Sequence, residues 1–203
     1  LQNATMDEIA EAAELSKGTL YLYYGSKEDL YFSVMMRGLE ILHDMFVQSI
    51  EEASTTFEAI RQLGPTYYEF FQRHRNFFRM FNYFQYPGMH KQVSEEMRQL
   101  CNNQSQKLWS VVIGLIQKGI QEGDLKNELN PVETSIILWS SSTAILGRID
   151  NEVDQWRSSL GVDLVEVLAK SNALLMDAIM TEEAKLKYGQ MPDLQYVRQS
   201  TRP

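Results

Sequence analysis

Hydrophobic residues recur along the chain at intervals of three and four positions, which is the spacing of one face of an α-helix. No stretch alternates convincingly between apolar and polar residues, so the sequence predicts an all-α fold. A capping residue with an acid three positions later marks helix starts at Thr5, Ser26, Thr55, Asn130 and Asp163. The predicted helices cover residues 6–13, 17–23, 27–49, 55–73, 76–85, 92–121, 131–150, 163–181 and 182–187.

The predicted helices fall into two groups by length. Two very short helices come first, and short helices bury too little apolar surface to be stable alone. They predict a small module attached to a larger helical bundle, with a domain boundary that separates residues 1–48 from residues 49–203. Pro65 interrupts an otherwise helical pattern and predicts a kink. The polar tail after Tyr188 is expected to be loosely held.

Composition narrows the class of protein. The 203-residue chain has a net charge of −8 and a single cysteine, Cys101, which excludes an intramolecular disulfide and a cysteine-cluster zinc site. No apolar run approaches the length of a membrane span and no signal peptide is recognisable, so we predict a cytoplasmic protein without a membrane partner. The acidic balance argues against coating nucleic acid by bulk charge, although a local DNA-binding surface remains compatible with it.

Residues 5–30 have the pattern of a helix-turn-helix, in which the second helix presents its N-terminal residues to the major groove of DNA. Ile9, Ala12 and Ala13 are expected to form the inner face of the first helix. Leu20 and Tyr24 are expected to form that of the second helix. The residues left facing outward or towards the tip of the second helix are Lys17, Gly18, Thr19, Tyr21 and Tyr23.

These outward residues suit contacts with DNA. Lysine, threonine and tyrosine side chains can meet base edges or phosphates, and a glycine allows close backbone approach. The helix starts on either side of the second helix carry a partial positive charge that favours phosphates. The predicted DNA-binding residues are Thr5, Ser16, Lys17, Gly18, Thr19, Tyr21, Tyr23 and Lys27. Eight acids face three basic residues over positions 1–48, so a small helical module that does not bind DNA is the alternative.

In this segment the chain resembles the tetracycline-repressor (TetR) family of bacterial transcription regulators. The runs 5–10, 16–24 and 26–30 match the family signature nearly position for position, whereas the match is loose beyond about residue 45. The resemblance implies a homodimeric repressor of an inverted repeat in double-stranded DNA, with a C-terminal domain that binds an inducer and forms the dimer. It also implies that most of a first helix before Thr5 is missing. Tyr24 and Gly25 depart from the family pattern, which usually has Phe and a longer polar residue there.

Ten aromatic residues crowd into positions 67–86, which is more than one helix face can hold. Aromatic residues at helical spacing usually pack in a core. The resemblance places the ligand cavity among these middle helices, so some of the ten are expected to line it. The predicted ligand-binding residues are Tyr67, Phe71, Arg75, Phe78, Arg79, Phe81, Trp109 and Trp139.

Charge in the same stretch predicts the character of the ligand. Residues 61–91 hold five basic residues and one acid, Glu69. A cationic ligand would need buried carboxylates to offset its desolvation, whereas arginine pairs readily with a carboxylate or phosphate. We therefore predict an apolar or aromatic inducer, neutral or anionic, with Arg75 or Arg79 at its polar end. Alternatively, these arginines lie on the surface near the DNA-binding module.

The last two long helices have the composition of an interface. Small residues between positions 140 and 147 allow close helix approach, and the helix at 163–181 is apolar on more than one face. The predicted dimer contacts are Ser140, Thr143, Gly147, Leu164, Leu168 and Leu175. The alternative is that these helices are buried within one subunit.

The sequence contains no plausible catalytic set, metal site or cofactor motif. Glu40 and His43 have the Glu-x-x-His spacing of di-iron bundles, but the second copy that such sites need is absent. Cys101 is expected to be a buried, inert thiol. We predict a regulator without a cofactor and not an enzyme. The alternatives are a small all-α carrier or enzyme that uses the aromatic cavity, and a DNA-binding activator without an inducer.

Overall fold

The structure, a computed structural model, describes residues 4–84 and 93–189. Within these ranges the predicted all-α class is confirmed, since apart from helices the described residues form one isolated bridge, between Leu125 and Met180. The helices are α1 (Met6–Ala12), α2 (Lys17–Tyr23), α3 (Lys27–Glu52), α4 (Thr56–Arg73), α5 (Arg75–Phe84), α6 (Glu95–Gln121), α7 (Pro131–Leu160), α8 (Leu164–Ile179) and α9 (Glu182–Tyr188). The predicted start of α6 at residue 92 and the tail from residue 190 lie outside the described residues.

Helix α7 is longer than the sequence analysis predicted. It continues past the predicted end at residue 150 to Leu160, because neither glycine nor proline occurs between residue 150 and Gly161. Gly161 adopts a left-handed conformation (φ 64°) and caps the helix. The extension is stabilised by contacts one turn apart: Glu152 accepts hydrogen bonds from Arg148 (2.9 Å) and from the Trp156 indole (2.7 Å). The predicted end was therefore wrong.

Two other helices bear on the sequence predictions. Helix α4 runs through Pro65 as one helix. The short helix predicted at 182–187 is confirmed as α9, which Thr181 caps by accepting the N–H of Ala184 (3.1 Å).

The chain divides into two compact units that are not consecutive in sequence. The first comprises the described residues of Leu1–Ile41 and His74–Leu108, and the second those of Leu42–Arg73 and Trp109–Pro203. Helices α3 and α6 contribute residues to both units. The predicted functional division at residue 48 does not coincide with these units and stays a prediction.

Two apolar clusters lie among the described residues of the first unit. Met6, Ala10 and Leu20 join α1 to α2, whereas a larger cluster joins α3 to the start of α6. The larger cluster consists of Tyr31, Phe32, Met35, Val93 and Cys101. A buried polar contact supports it, because the carboxylate of Asp29 accepts hydrogen bonds from the N–H (3.0 Å) and hydroxyl (3.1 Å) of Ser94. The beginning of α3 is thus anchored to the beginning of α6.

The second unit has its core between α4, α6 and α8, and α9 covers one end of it. The central cluster consists of Ala59, Ile60, Leu115, Ile116, Leu125 and Ile179. At α9 the ring of Tyr188 stacks on that of Phe57 with 4.2 Å between centroids. Helices α7 and α8 are linked by hydrogen bonds between Ser141 and Ser171 (3.0 Å) and between Ser142 and Asn172 (3.1 Å). None of the helices in the described ranges is both long and apolar enough to cross a bilayer.

Candidate DNA-binding and ligand-binding sites

Helices α1 and α2 form a helix-turn-helix whose helix starts are fixed by side-chain caps. Thr5 and Glu8 form a reciprocal capping box, in which the Thr5 hydroxyl accepts the Glu8 N–H (3.2 Å) and the Glu8 carboxylate accepts the Thr5 N–H (2.7 Å). The Glu8 carboxylate accepts hydrogen bonds from the N–H and the hydroxyl of Thr5, and both lower its pKa. At α2, Ser16 Oγ accepts the N–H of Thr19 (3.0 Å). Between the helices Glu14 has a positive φ of 56°, which gives a tight turn.

The inner face of the helix-turn-helix differs from the predicted one. Met6, Ala10 and Leu20 are buried, and Ile9 and Tyr24 pack against them. Ala12 and Ala13, which were predicted to face inward, are exposed. That prediction was wrong because the buried stripe of α1 is set by Met6 and Ala10, which are one turn apart.

The predicted DNA-binding residues lie at the surface of this module. Lys17, Gly18, Tyr21 and Tyr23 are exposed along α2, as are Thr5 and Ser16, whereas Thr19 and Lys27 are half-buried. The sequence analysis missed Leu22, whose side chain is 84% exposed. Leu22 lies two positions after the buried Leu20, which puts it on the opposite side of the helix and one turn beyond Gly18.

Lys17 is held by an ion pair within the module. Its ammonium lies 2.6 Å from the carboxylate of Asp7 on α1, and both side chains are exposed. The hydrogen bond from Lys17 to Asp7 raises the pKa of Lys17, so the amine stays charged at neutral pH. Exposed ion pairs contribute little to stability because water competes with them. Lys17 can therefore exchange Asp7 for a DNA phosphate at small cost.

The second unit contains a largely apolar cavity of about 60 Å³ between α3, α4, α6, α7 and α8. It is lined by Phe46, Ile60, Arg61, Leu63, Gly64, Tyr67, Val112, Ser135, Leu138, Trp139, Ser142, Asn172 and Met176. Among the described residues of its wall, Arg61 is the only charged one. The cavity is suited to an apolar or aromatic molecule, with polar contacts available at a few points.

Trp139 is the centre of the aromatic side of the cavity. The Tyr67 ring stacks on it (4.5 Å between centroids), and Phe46 meets it edge-on (6.5 Å). Trp109 contacts Trp139 from outside the cavity wall (5.5 Å). The Tyr67 hydroxyl is hydrogen-bonded to Thr143 (3.1 Å), and burial raises the pKa of Tyr67, which keeps the phenol neutral. An aromatic group at this wall would have rings to stack against.

Comparison with known proteins identifies the DNA-binding module. Residues 1–34 match the family model described as bacterial regulatory proteins, tetR family. The helix-turn-helix of this chain is therefore a DNA-binding module of the TetR type. The fatty acid metabolism regulator protein of Bacillus subtilis (strain 168) is 23% identical to this chain over 170 residues, which are 84% of this chain and 80% of that protein.

Solved structures share the fold of this chain. The crystal structure of FadR from Bacillus subtilis in complex with stearoyl-CoA matches it with a TM-score of 0.68 at 21% identity, covering 88% of this chain and 90% of that one. KstR2 of Mycobacterium tuberculosis, a ketosteroid transcriptional regulator, matches with a TM-score of 0.64 at 15% identity, covering 89% and 87%. The helix-turn-helix followed by a helical domain is therefore the fold that the sequence analysis predicted.

The residues predicted to bind ligand are distributed over both units. Tyr67 and Trp139 line the cavity, and Trp109 contacts Trp139. Phe71 is buried elsewhere in the second unit, where its ring lies 6.2 Å from that of Tyr68. The other four residues belong to α5 in the first unit and do not line this cavity: Arg75, Phe78, Arg79 and Phe81.

Arg75 and Arg79 are exposed on α5, whereas Phe78 is fully buried. The sequence analysis gave a surface position of these arginines as the alternative to ligand binding, and their exposure agrees with that alternative. The sequence analysis missed Arg61, although the charge count of residues 61–91 included it. The signal that would have favoured it is the helical spacing Ile60, Leu63, Gly64 and Tyr67 around it on α4.

The residues predicted to form the dimer divide into an outer and an inner set. Ser140 is exposed and Gly147 half-buried on α7, where Ile136 (47% exposed) and Ile137 (56%) extend the same outer surface. Leu174 on α8 is 72% exposed. Leu164 and Leu168 are instead buried within the subunit, Leu175 is half-buried, and Thr143 is hydrogen-bonded to Tyr67.

The remaining candidate chemistry concerns metal ligands and the single cysteine. In the ranges 4–84 and 93–189 no three His, Cys, Asp or Glu side chains lie close enough together to hold a metal ion. Cys101 is buried as predicted, and burial raises its pKa to about 11, so its thiol is protonated at neutral pH. The chain is a transcriptional regulator and not an enzyme.

Proposed function

We propose that this chain is a homodimeric TetR-type repressor of the cytoplasm, which binds an inverted-repeat operator and leaves it when a small apolar or aromatic ligand occupies the cavity. The observation that carries the proposal is the presence, in one chain, of the family's DNA-binding module and of an apolar cavity with an aromatic wall. A cavity of this kind is where a regulator would sense a metabolite.

In the proposed complex α2 enters the major groove. Lys17, Thr19 and the exposed Tyr21 and Tyr23 meet bases and phosphates, and Gly18 lets the backbone come close. Lys27, at the first position of α3, meets a phosphate on the flank of the site. A contact at Thr5 requires Glu8 to turn away, because its carboxylate occupies the Thr5 N–H.

The dimer is proposed to form through the outer faces of α7 and α8. Ile136, Ile137 and Leu174 are large exposed apolar side chains that a partner subunit would cover. Ser140 and Gly147 lie on α7 with small side chains or none, which allows close approach of a second helix. A two-fold dimer places two α2 helices on two half-sites, which is the physical reason for an inverted repeat.

The ligand is proposed to carry an apolar body, neutral or anionic overall. Support comes from the B. subtilis relative, which is named a fatty acid metabolism regulator, and from the FadR structure that holds stearoyl-CoA. In the proposed mechanism the ligand stabilises a conformation of the cavity that has lower affinity for the operator.

A mobility-shift experiment with the full-length protein tests the proposal. Operator DNA selected from a random pool is bound first, and decanol or decanoate is then titrated below its micelle concentration. We expect the complex to dissociate, and a reporter gene behind the operator to be transcribed more when the ligand is added. A complex that every apolar compound leaves intact would favour a regulator without an inducer.

A further inference from the structure

We infer that the ligand is an aromatic ring with a hydrogen-bond donor attached directly to it, as in a phenol or an indole, and that the Ser142 hydroxyl oxygen accepts this hydrogen bond. The inference rests on the proposed ligand site and names the chemical class of molecule that the site binds. It follows from two parts of the cavity wall, an aromatic part around Trp139 and a polar part at Ser142.

The aromatic part of the wall is held by contacts between α4 and α7. The Tyr67 ring stacks on Trp139 with 4.5 Å between centroids, and the Tyr67 hydroxyl is hydrogen-bonded to Thr143 (3.1 Å), one turn beyond Trp139. Both rings line the cavity, and Phe46 adds a third. Aromatic rings that pack offset or edge-to-face gain more than the burial of their area alone provides. At this wall an aromatic ligand therefore gains a contribution that a saturated ring of the same size lacks.

The polar part of the wall is a pair of side chains that joins α7 to α8. The Ser142 hydroxyl donates its proton to the side-chain oxygen of Asn172 (3.1 Å), and both residues line the cavity. Ser142 is 7% exposed, so its polar atom is taken out of bulk water. A serine hydroxyl has one proton and two lone pairs, and its oxygen can still accept a hydrogen bond after the proton has been donated. Towards a ligand, Ser142 is therefore an acceptor.

The other polar side chains of the described wall are engaged as well. Ser135 donates its proton to the carbonyl of Pro131 (2.7 Å), and the Tyr67 hydroxyl has its own partner. Arg61 and Asn172 carry N–H groups, and both have further interactions. A ligand that can only accept, such as an ether, has to compete for a proton that is already in use. A ligand that donates adds a hydrogen bond and breaks none.

The distance between the two parts of the wall fits a donor on the ring itself. Trp139 and Ser142 are three residues apart on α7, which places their Cβ atoms about 5–6 Å apart on one side of the helix. A hydrogen bond between two hydroxyl groups takes up about 2.7–2.8 Å of such a span. The remainder is short, so a ring packed against Trp139 reaches Ser142 with a directly attached hydroxyl or N–H. A donor at the end of an alkyl chain would lie beyond it.

Calorimetric titration of the full-length protein with four compounds of similar size tests the inference. 4-Ethylphenol donates, its isomer 4-methylanisole only accepts, 4-ethylcyclohexanol carries the hydroxyl on a saturated ring, and ethylbenzene measures apolar contacts alone. We expect 4-ethylphenol to bind about three- to tenfold more tightly than 4-methylanisole, which is the contribution of one hydrogen bond. 4-Ethylcyclohexanol should bind more weakly than 4-ethylphenol by about the same factor, because its ring lacks the aromatic contact.

Ser142→Ala removes the acceptor, and Ser141→Ala is the matched control. Ser141 precedes it on α7 and makes the same kind of contact with α8, a hydrogen bond to the Ser171 hydroxyl (3.0 Å), but it is not part of the described cavity wall. In Ser142→Ala, 4-ethylphenol should bind no more tightly than 4-methylanisole, while the affinity for ethylbenzene changes by less than about twofold because apolar contacts determine it. Ser141→Ala should keep the wild-type preference.

The outcomes distinguish this inference from the proposed ligand site. If none of the four compounds binds to the wild type, the ligand site itself is wrong. If ethylbenzene binds and 4-ethylphenol has no advantage over 4-methylanisole, the site stands and the donor is refuted. Equal affinities for 4-ethylcyclohexanol and 4-ethylphenol refute the aromatic ring. A preference that survives in Ser142→Ala refutes Ser142 as the acceptor.

Circular dichroism of both serine variants shows whether they fold as the wild type does. If Ser142→Ala does not fold, the comparison of the four compounds in the wild type still decides whether the ligand needs the donor and the aromatic ring.

Discussion

The helix-turn-helix and the ligand cavity differ in how much of the chain is needed to build them. The helix-turn-helix is complete within residues 5–30, and its caps, turn and inner contacts connect residues close in sequence. The cavity takes side chains from five helices, between Phe46 and Met176. The geometry of the helix-turn-helix depends mainly on contacts within one short segment. A cavity built from distant segments depends on the packing of every helix around it, which also allows a ligand to change that packing.

The largest effect is expected from a change that leaves both regions intact and separates the subunits. A Cβ added at Gly147 would meet no atom within 4 Å, so Gly147→Trp should preserve the fold of the subunit while it obstructs the α7 surface. Because two linked half-site contacts gain about 100-fold or more over one, operator affinity should fall by at least that factor. Sedimentation should show a monomer.

Gly114→Trp is the matched control for the dimer, since its Cβ position on α6 is equally open and its surface is exposed. It should remain dimeric and bind the operator normally. Charged residues at Leu164 or Leu168 would give a less clear result, because both leucines are buried within the subunit and a charge there would unfold it. A dimer of undiminished affinity in Gly147→Trp would refute the proposed interface.

A substitution in the cavity wall should destabilise the second unit and leave the DNA-binding module unchanged. Trp139→Ala removes the ring that Tyr67, Phe46 and Trp109 contact, and a truncation of this kind costs about 3–5 kcal/mol in the free energy of unfolding. Thermal denaturation should show this loss, whereas operator affinity measured at low temperature should change little. Trp156→Ala, half-buried near the end of α7, is the control and should cost less. Equal losses would mean that Trp139 does not organise the cavity.

A substitution at Leu22 tests whether the DNA-binding module makes an apolar contact with a base. A leucine that is 84% exposed on the recognition helix has one apolar group to meet in the major groove, the methyl group of thymine. Loss of one methyl contact corresponds to about 0.8 kcal/mol, or roughly fourfold in affinity. Replacing thymine by uracil at one operator position should weaken the wild type by that factor, and Leu22→Ala should be insensitive to the same replacement. Equal sensitivity in both proteins would exclude the contact.

The smallest expected effect concerns the ion pair inside the module. Asp7→Asn should release Lys17 for a phosphate and raise operator affinity by about two- to fivefold at low salt, with a steeper salt dependence. Glu11→Gln removes the same charge from an exposed position of α1 without contacting Lys17. If both variants bind alike, the general reduction of negative charge is responsible and the ion pair has no separate role.

The same difference determines which features of the two sites could be predicted from the sequence. Capping residues and the family signature predicted α1, α2 and their outward residues, because those signals are local. Ala12 and Ala13 were misplaced because Met6 and Ala10 set the buried face of α1. Aromatic density led to Tyr67, whereas nothing in the sequence singled out Arg61 as a residue of the cavity wall. That placement required knowing that α4 lines the cavity and that α5 belongs to the other unit.

Selection from a pool of random duplex DNA tests the central claim most directly, because that claim is sequence-specific binding by a two-fold dimer. The full-length protein should enrich an inverted repeat whose half-site centres are about 10 bp apart or somewhat more. Tyr21→Ala should blur the enriched sequence, and Lys27→Ala should weaken binding to all sequences alike. If the wild type enriches nothing, or if it enriches the same sequences as Tyr21→Ala, the assignment of α2 as the recognition helix is contradicted.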